Sequence, residues 1–255
     1  LLLQQFFRDG YRVRWLVVFG VVWGLAALTR SVLWLLPPFV LVFMLWATRS
    51  LPWQRRLLAS AMPLVFFFLT IAPWSIRNTR LQKTFVAIDN QGGRSVMLGN
   101  YEYTPLWRAW DAVSVRGEKA WYSVLAAEHP EFDSLTQGQR DSLALRRSLR
   151  FMATHPLLTL KRSVIKFFNF WQLEREVVAG LARGYWGNLP SAAIWAIAIV
   201  ICGSYAASIF AAIFGAVLVP PADRRMYVFF LLVTGLVCGV HSIVFGHSRY
   251  HLPLM

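Results

Sequence analysis

Charged residues are scarce in this sequence, and acidic residues are the scarcer kind. Charged side chains make up 15% of the residues and hydrophobic ones 57%, which is more apolar than an ordinary soluble domain. Asp and Glu together number 12 against 26 Lys and Arg, so the net charge is +14. This composition excludes a typical soluble globular domain and indicates an integral membrane protein.

Common catalytic and metal-binding motifs are also absent. The two cysteines, Cys202 and Cys238, lie inside apolar runs, which predicts packing and not a disulfide. No CxxC, HExxH, Walker or Ser-His-Asp pattern occurs, so the sequence predicts no metal site and names no catalytic residue. We expect His241, inside the last apolar run, to be packed or bonded to its own helix. Gly92-Gly93 is expected to form a turn, because no Lys-Ser/Thr follows it.

The positive charge lies beside the apolar runs. Clusters of arginine occur within residues 8–14, 49–56 and 224–225. Short basic clusters of this kind mark the cytoplasmic ends of membrane spans. The charge therefore indicates topology, and we expect no nucleic-acid partner.

The apolar runs predict about five membrane crossings. Residues 15–47 are apolar apart from Arg30, and their basic flanks require an even number of crossings. We therefore expect two short helices, 15–28 and 32–47, that turn at Thr29-Arg30-Ser31 on the outer side. The third, fourth and fifth spans are predicted at residues 57–73, 191–219 and 227–245.

The predicted fold class is mainly α, with polytopic transmembrane helices and a small mixed α/β outer domain between the third and fourth spans. Spans one to three occupy residues 1–76, and the extracytoplasmic domain occupies 77–189. Spans four and five and an outer Arg-Tyr turn occupy 190–255. We expect the chain to be an internal piece of a longer polytopic protein.

Inside the outer domain, residues 84–88 and 94–98 flank turn-forming residues and predict a short hairpin. Helical patterns follow at 118–128 and 139–154. A further helix, near 156–172, carries apolar and aromatic residues with Lys161, Arg162 and Lys166 between them. It either lies on the membrane surface with its basic residues toward lipid phosphates, or packs on the outer domain.

Three arginines mark the outer ends of predicted spans: Arg30, Arg77 and Arg249. A charge at such a depth is costly unless it is paired or functional, and arginine is suited to binding a phosphate or pyrophosphate. The alternative is that each arginine only reaches the lipid headgroups. Three polar neighbours complete the predicted lipid-phosphate site: Asn78, His247 and Tyr250.

Four motifs, taken in order, resemble the landmarks of one family. They are Gly24-Leu25-Ala26-Ala27-Leu28-Thr29-Arg30, Ala72-Pro73-Trp74-Ser75-Ile76-Arg77-Asn78, Gly92-Gly93 leading to Gly99-Asn100, and Ser248-Arg249-Tyr250-His251-Leu252-Pro253. The family is the bacterial GT-C membrane glycosyltransferases of the glycosyltransferase family 39 type, related to protein O-mannosyltransferases and to the aminoarabinose transferase of lipid A. His155-Pro156, before a basic aromatic helix ending at Trp171, is similar to the same group.

The resemblance implies an enzyme of the bacterial inner or plasma membrane. It would transfer a sugar from a polyprenyl-phosphate donor to a hydroxyl of a glycan, lipid or protein on the outer side. Its partners would be membrane lipids, the lipid-linked sugar and the acceptor. No cofactor is certain, and a divalent metal stays open. In the family a carboxylate of the first outer loop is the expected base, and that loop would precede Leu1, so no catalytic residue is assigned.

Other functions also use arginines at one membrane face. A flippase for lipid-linked glycans requires charged or broken-helix sites near the bilayer midplane, where these runs are almost wholly apolar. A lipid-linked glycan polymerase or ligase of cell-envelope biosynthesis is the nearer alternative. A non-enzymatic membrane scaffold has no sequence feature of its own in its favour.

Overall fold

The computed structural model describes residues 1–172, 176–185, 187–218, 223–244 and 246. These residues form eleven α-helices. They are α1 (Leu2–Arg8), α2 (Arg14–Thr29), α3 (Pro37–Ala47), α4 (Trp53–Gln82), α5 (Gly92–Gly99), α6 (Trp121–Glu128), α7 (Gln137–Thr154), α8 (Pro156–Phe170), α9 (Glu176–Ala182), α10 (Ser191–Leu218) and α11 (Arg224–Ile243).

Three of these helices, α4, α10 and α11, are long and apolar enough to cross a membrane. Two more apolar helices, α2 and α3, are shorter. The predicted break between them is confirmed, because α2 ends at Thr29 and Arg30 is extended. A 3₁₀ turn, Ser31–Leu35, then leads to α3, which begins with two prolines at positions where their missing N–H groups cost nothing.

The expected α/β character of the outer domain is wrong. No strand occurs in the part of the chain that the structure describes, and residues 94–98, predicted as a strand, lie in α5. The N-terminus of α5 is capped from α7: the Asp141 carboxylate accepts hydrogen bonds from the N–H groups of Gly93 (2.9 Å) and Arg94 (2.7 Å). This cap satisfies two of the donors that a helix start leaves free, and so it favours a helix over a hairpin.

Residues 84–88, the other predicted strand, follow α4 as an irregular linker. The Trp74 indole donates to the Ile88 carbonyl at 2.8 Å, and the Ser75 hydroxyl donates to the Ala87 carbonyl. The Val86 N–H donates to the Thr79 hydroxyl at 3.1 Å. The backbone groups that a hairpin would pair are therefore bonded to α4, which continues through Pro73 to Gln82.

Glycines bring α2 and α4 into close contact. A Cβ at Gly20 would lie 2.9 Å from the Cβ of Phe66, and one at Gly24 would lie 2.6 Å from the Cβ of Thr70. The later glycine of α2 contacts the later residue of α4, so the two helices run parallel. Small residues four apart allow this approach, as they do in membrane helix pairs.

The last helix, α11, runs in the same direction as α2. Near its start, the Phe229 ring contacts Phe19, with 6.2 Å between ring centroids. Near its end, His241 lies beside the 3₁₀ turn that follows α2. The C-terminal ends of α2 and α11 therefore meet at one end of the helix bundle, where α8 packs against α11.

Replacing Gly24 by alanine tests the α2–α4 contact. The new methyl group would overlap Thr70, and overpacking of this kind costs roughly 1–3 kcal/mol. The matched control is Gly239→Ala on α11, where no atom lies within 4 Å of the position that the new methyl group would take. Thermal unfolding in detergent should show a lowered midpoint for Gly24→Ala and an unchanged one for Gly239→Ala; equal midpoints would contradict the packing.

Candidate functional site

A cavity of about 500 Å³ lies where the ends of the membrane-type helices meet α5 and α7. Its walls come from the 3₁₀ turn Ser31–Leu35, the linker after α4, α5, α7 and the last turns of α11. This volume is within the range of small-molecule sites. The polar side chains that line it are Ser31, Asp89, Gln91, Ser95, Asp141, Ser142 and His241.

The two carboxylates of the cavity differ in their surroundings. Asp141 is half-buried and uses both oxygens to cap α5. Burial raises the pKa of Asp141, and the nearby charge of Asp89 acts in the same direction. Asp89 is exposed and accepts the Gln91 N–H at 3.2 Å. Asp89 is therefore the carboxylate that can accept hydrogen bonds from a ligand in the cavity.

The predicted phosphate-binding residues lie at different places. Arg30 is exposed, directly precedes Ser31 of the cavity wall, and is within electrostatic range of His241. Arg77 and Asn78 lie on α4 and are bonded to each other, with Arg77 Nη1 3.2 Å from Asn78 Oδ1; neither lines the cavity. The other three predicted residues, His247, Arg249 and Tyr250, lie outside the described residues.

His241 is bonded to its own helix, as the sequence predicts. Its Nδ1 lies 2.9 Å from the Val237 carbonyl oxygen, one helical turn earlier. The ring also packs against Phe170 of α8, with 5.4 Å between centroids. His241 is thus held in place by α8 while it lines the cavity.

A buried polar cluster next to the cavity was not predicted. Lys166 on α8 donates from Nζ to Asn100 Oδ1 at 2.9 Å and to the Ile243 carbonyl at 2.8 Å. Asn100 Nδ2 donates to the same carbonyl at 2.8 Å. Lys166 and Asn100 are each only 1% exposed. We refer to these three residues as the Ile243 cluster.

The structure does not fit the alternative in which all three basic residues of α8 point toward lipid phosphates. Lys166 belongs to the Ile243 cluster, and Arg162, 4% exposed, donates to the carbonyls of Tyr101 and Thr104, at 2.9 Å each. Only Lys161 is exposed. Arg162, Lys166 and Phe170 recur every four residues, and this spacing was the signal that they share one buried face.

Two glycines allow the chain to pass close to the Ile243 cluster. A Cβ at Gly99 would overlap the carbonyl oxygen of Val244, and one at Gly246 would overlap the carbonyl oxygen of Lys166. A larger residue at either position would move the end of α11 away from α5 or α8. Glycine is therefore required at these two positions for steric reasons, which the periodicity of the sequence does not reveal.

Comparison with family models, curated proteins and solved structures found no match to this chain. Among the described residues, no group of three or more His, Cys, Asp or Glu side chains is placed to hold a metal ion. The function is therefore argued from the cavity, its neighbouring charges and the motifs of the sequence.

The Ile243 cluster makes a pH prediction. Burial, and secondly the charge of Arg162, lower the pKa of Lys166 from 10.5 to about 7. The unfolded chain keeps this proton up to about pH 10.5, whereas the folded chain releases it near pH 7. Between these values the unfolded state binds more protons, so this group makes folding more favourable as the pH rises.

Thermal unfolding at pH 7, 8 and 9 measures this effect. Stability of the wild type should rise relative to Lys166→Met by at most about 1.4 kcal/mol per pH unit, the value of one proton. The other titrating groups are common to both proteins and cancel in the difference. Parallel pH profiles would show that Lys166 does not titrate in this window.

Proposed function

We propose that the protein is an integral membrane glycosyltransferase. It transfers a sugar from a polyprenyl-phosphate donor to a hydroxyl acceptor on the outer side of a bacterial inner or plasma membrane. The observation that carries the proposal is the cavity between membrane-helix ends and helices α5 and α7, with Arg30 directly before Ser31 of its wall. The four sequence motifs that resemble those of the GT-C family support it independently.

The proposed topology has five crossings, with α2 and α3 as a short pair and α4, α10 and α11 as full spans. In such a chain the first, third and fifth crossings run in one direction. The parallel contacts of α2 with α4 and of α2 with α11 agree with this requirement. The arginine clusters at the starts of these helices then face the cytoplasm.

The chemistry of the cavity suits a sugar. Hydroxyl groups need acceptors, which Asp89 and Gln91 provide, and the apolar face of a sugar ring packs on aromatic side chains such as Trp34 and Phe85. Phe85 is 73% exposed, so its ring is accessible to a ligand. A few polar groups among apolar ones are typical of a site that fixes the orientation of a small molecule.

The departing group would be a lipid phosphate, whose negative charge grows in the transition state. A fixed cation at that point stabilises the transition state more than the ground state. Arg30 directly precedes Ser31 of the cavity wall, whereas Arg94 and Arg140, which adjoin other wall residues, donate to Gln91 and to backbone carbonyls. Arg249 is the arginine that the family resemblance adds. Asp141 is unsuited to be the base, because both its oxygens are bonded to backbone N–H groups.

The direct test is transfer of radiolabelled sugar from polyprenyl-phosphate mannose, glucose and aminoarabinose by membranes that carry the complete protein. Arg30→Ala and Arg249→Ala should each lower transfer about 100-fold, the usual effect of losing a group that stabilises developing charge. Arg55→Ala, at the exposed start of α4, is the control and should transfer at the wild-type rate.

Full activity of Arg30→Ala and Arg249→Ala, at equal protein levels, contradicts the role of these arginines. Absence of transfer by the wild type from every donor contradicts the glycosyltransferase proposal itself. A product that is a long glycan chain, with lipid-linked oligosaccharide as substrate, would instead support the polymerase or ligase alternative.

The proposed topology also places α8 at the membrane surface. Its apolar side chains are exposed, with Leu157 at 82%, Phe168 at 65% and Leu160 at 63%. Of its three cations, Arg162 and Lys166 are buried, so the exposed side is mainly apolar, with Lys161 on it. An apolar face beside membrane helices fits the boundary between headgroups and acyl chains.

Spin labels on α8 and α7 test this placement in nanodiscs, with Cys202 and Cys238 replaced by serine. A label at Leu160→Cys on α8 should be more accessible to oxygen, which partitions into lipid, than to a water-soluble nickel complex. A label at Arg146→Cys, an exposed polar position of α7, should show the opposite preference. Protection of the Leu160→Cys label from both reagents would mean that the face packs on protein.

A further inference from the structure

The C-terminal end of α11 has carbonyl groups that its own helix cannot satisfy. One of them, on Ile243, accepts hydrogen bonds from two side chains of different elements, Lys166 of α8 and Asn100 after α5. We propose that Lys166 is a positioning residue of the transfer reaction: with Asn100 it holds the last turn of α11 in place as one wall of the cavity. This inference rests on the proposed function.

The link between Lys166 and the cavity is short. His241 lies two residues before Ile243 and Val244 lies directly after it, and both line the cavity together with Val240. Fixing the Ile243 carbonyl therefore fixes the turn that presents these side chains. Lys166 itself is 1% exposed and does not line the cavity, so it acts through α11 and not by touching a substrate.

Close packing around the Ile243 cluster holds the end of α11 against α5 and α8. Gly99 lies against the Val244 carbonyl and Gly246 against the Lys166 carbonyl, each too close for a side chain. Phe170, on the same face of α8 as Lys166, packs on Val237 and Cys238 one to two turns earlier in α11. The end of α11 is thus held by a polar contact at its last residue and an apolar contact before it.

A lysine at this position is costly for stability alone. No carboxylate of the described residues lies in a salt bridge with Lys166, and the neighbouring charge is the like charge of Arg162. An apolar side chain of similar volume often stabilises a buried site more than a buried charge does. The lysine does what an apolar residue cannot, because its Nζ donates to both Asn100 and the Ile243 carbonyl at the C-terminal end of α11.

The test measures transfer kinetics of Lys166→Met in the complete protein, with the radiolabelled polyprenyl-phosphate sugar that the wild type uses. Lys161→Met, an exposed lysine on the same helix, is the matched control. The KM for the donor should rise about tenfold in Lys166→Met while kcat changes less than threefold, because binding in the cavity is weakened. A merely structural role would reduce the amount of active protein, which lowers the apparent kcat and leaves KM unchanged.

Hydrogen exchange of the purified protein gives a readout without activity. Amides in the last turn of α11, including Val244, should exchange about tenfold faster in Lys166→Met, because local opening becomes easier, and those of α2 should not change. Unchanged exchange, or faster exchange with wild-type KM, would overturn the positioning role. If the wild type transfers no sugar, the proposed function fails, whereas the exchange result still decides whether Lys166 holds α11.

A second variant tests the other side-chain donor to the Ile243 carbonyl. Asn100→Leu removes the Nδ2 donor to Ile243 and the Oδ1 acceptor of Lys166 at nearly constant volume. It should raise KM and exchange in the same direction as Lys166→Met. If both variants fail to insert or fold, the cluster is a folding requirement and the positioning role is rejected.

Discussion

The carbonyl oxygen of Ile243 joins the end of α11 to α5 and α8, and Gln82 joins the end of α4 to the start of α7. A helix end buried without partners would cost about 1–3 kcal/mol for each unsatisfied group. Here two buried side chains remove that cost, and one of them, Lys166, also brings α8 against α11. The cavity exists because α5 and α11 are held at this distance, with Val96 on one wall and Val240 on another.

The electrostatics at this end of the bundle determine what can bind an anion. Helix N-termini are the usual backbone anion sites, but the two best-placed N–H groups of α5 are occupied by Asp141. The ends of α2 and α11 that meet here are C-termini, which repel a phosphate. These helix ends therefore offer a phosphate little attraction, so the proposed site depends on arginine side chains. This makes Arg30, the residue that ends α2, more important to the proposed site than its single charge suggests.

Local patterns predicted the parts of the fold that depend on local interactions. The apolar runs marked the long helices, Arg30 marked the break between α2 and α3, and Pro156 marked the start of α8. The errors occurred where the deciding partner is distant in sequence. The strand prediction for residues 94–98 failed because the cap of α5 comes from Asp141, on another helix. The orientation of Lys166 was missed because its acceptors belong to Asn100 and Ile243, far away on both sides.

The inward orientation of the α8 cations has a consequence for the whole site. Because Arg162 and Lys166 face the protein, the exposed side of α8 is mainly apolar, with Lys161 on it, and the proposed topology places this side at the membrane boundary. Lys166 bonds the end of α11, so the surface helix and the cavity wall lie at the same level of the molecule. In the proposed function, this arrangement would let the cavity receive the sugar of a polyprenyl-phosphate donor while the chain of that donor stays in the bilayer. Lys166, whose bonding partners are distant in sequence, thus links α8 to the wall of the proposed site.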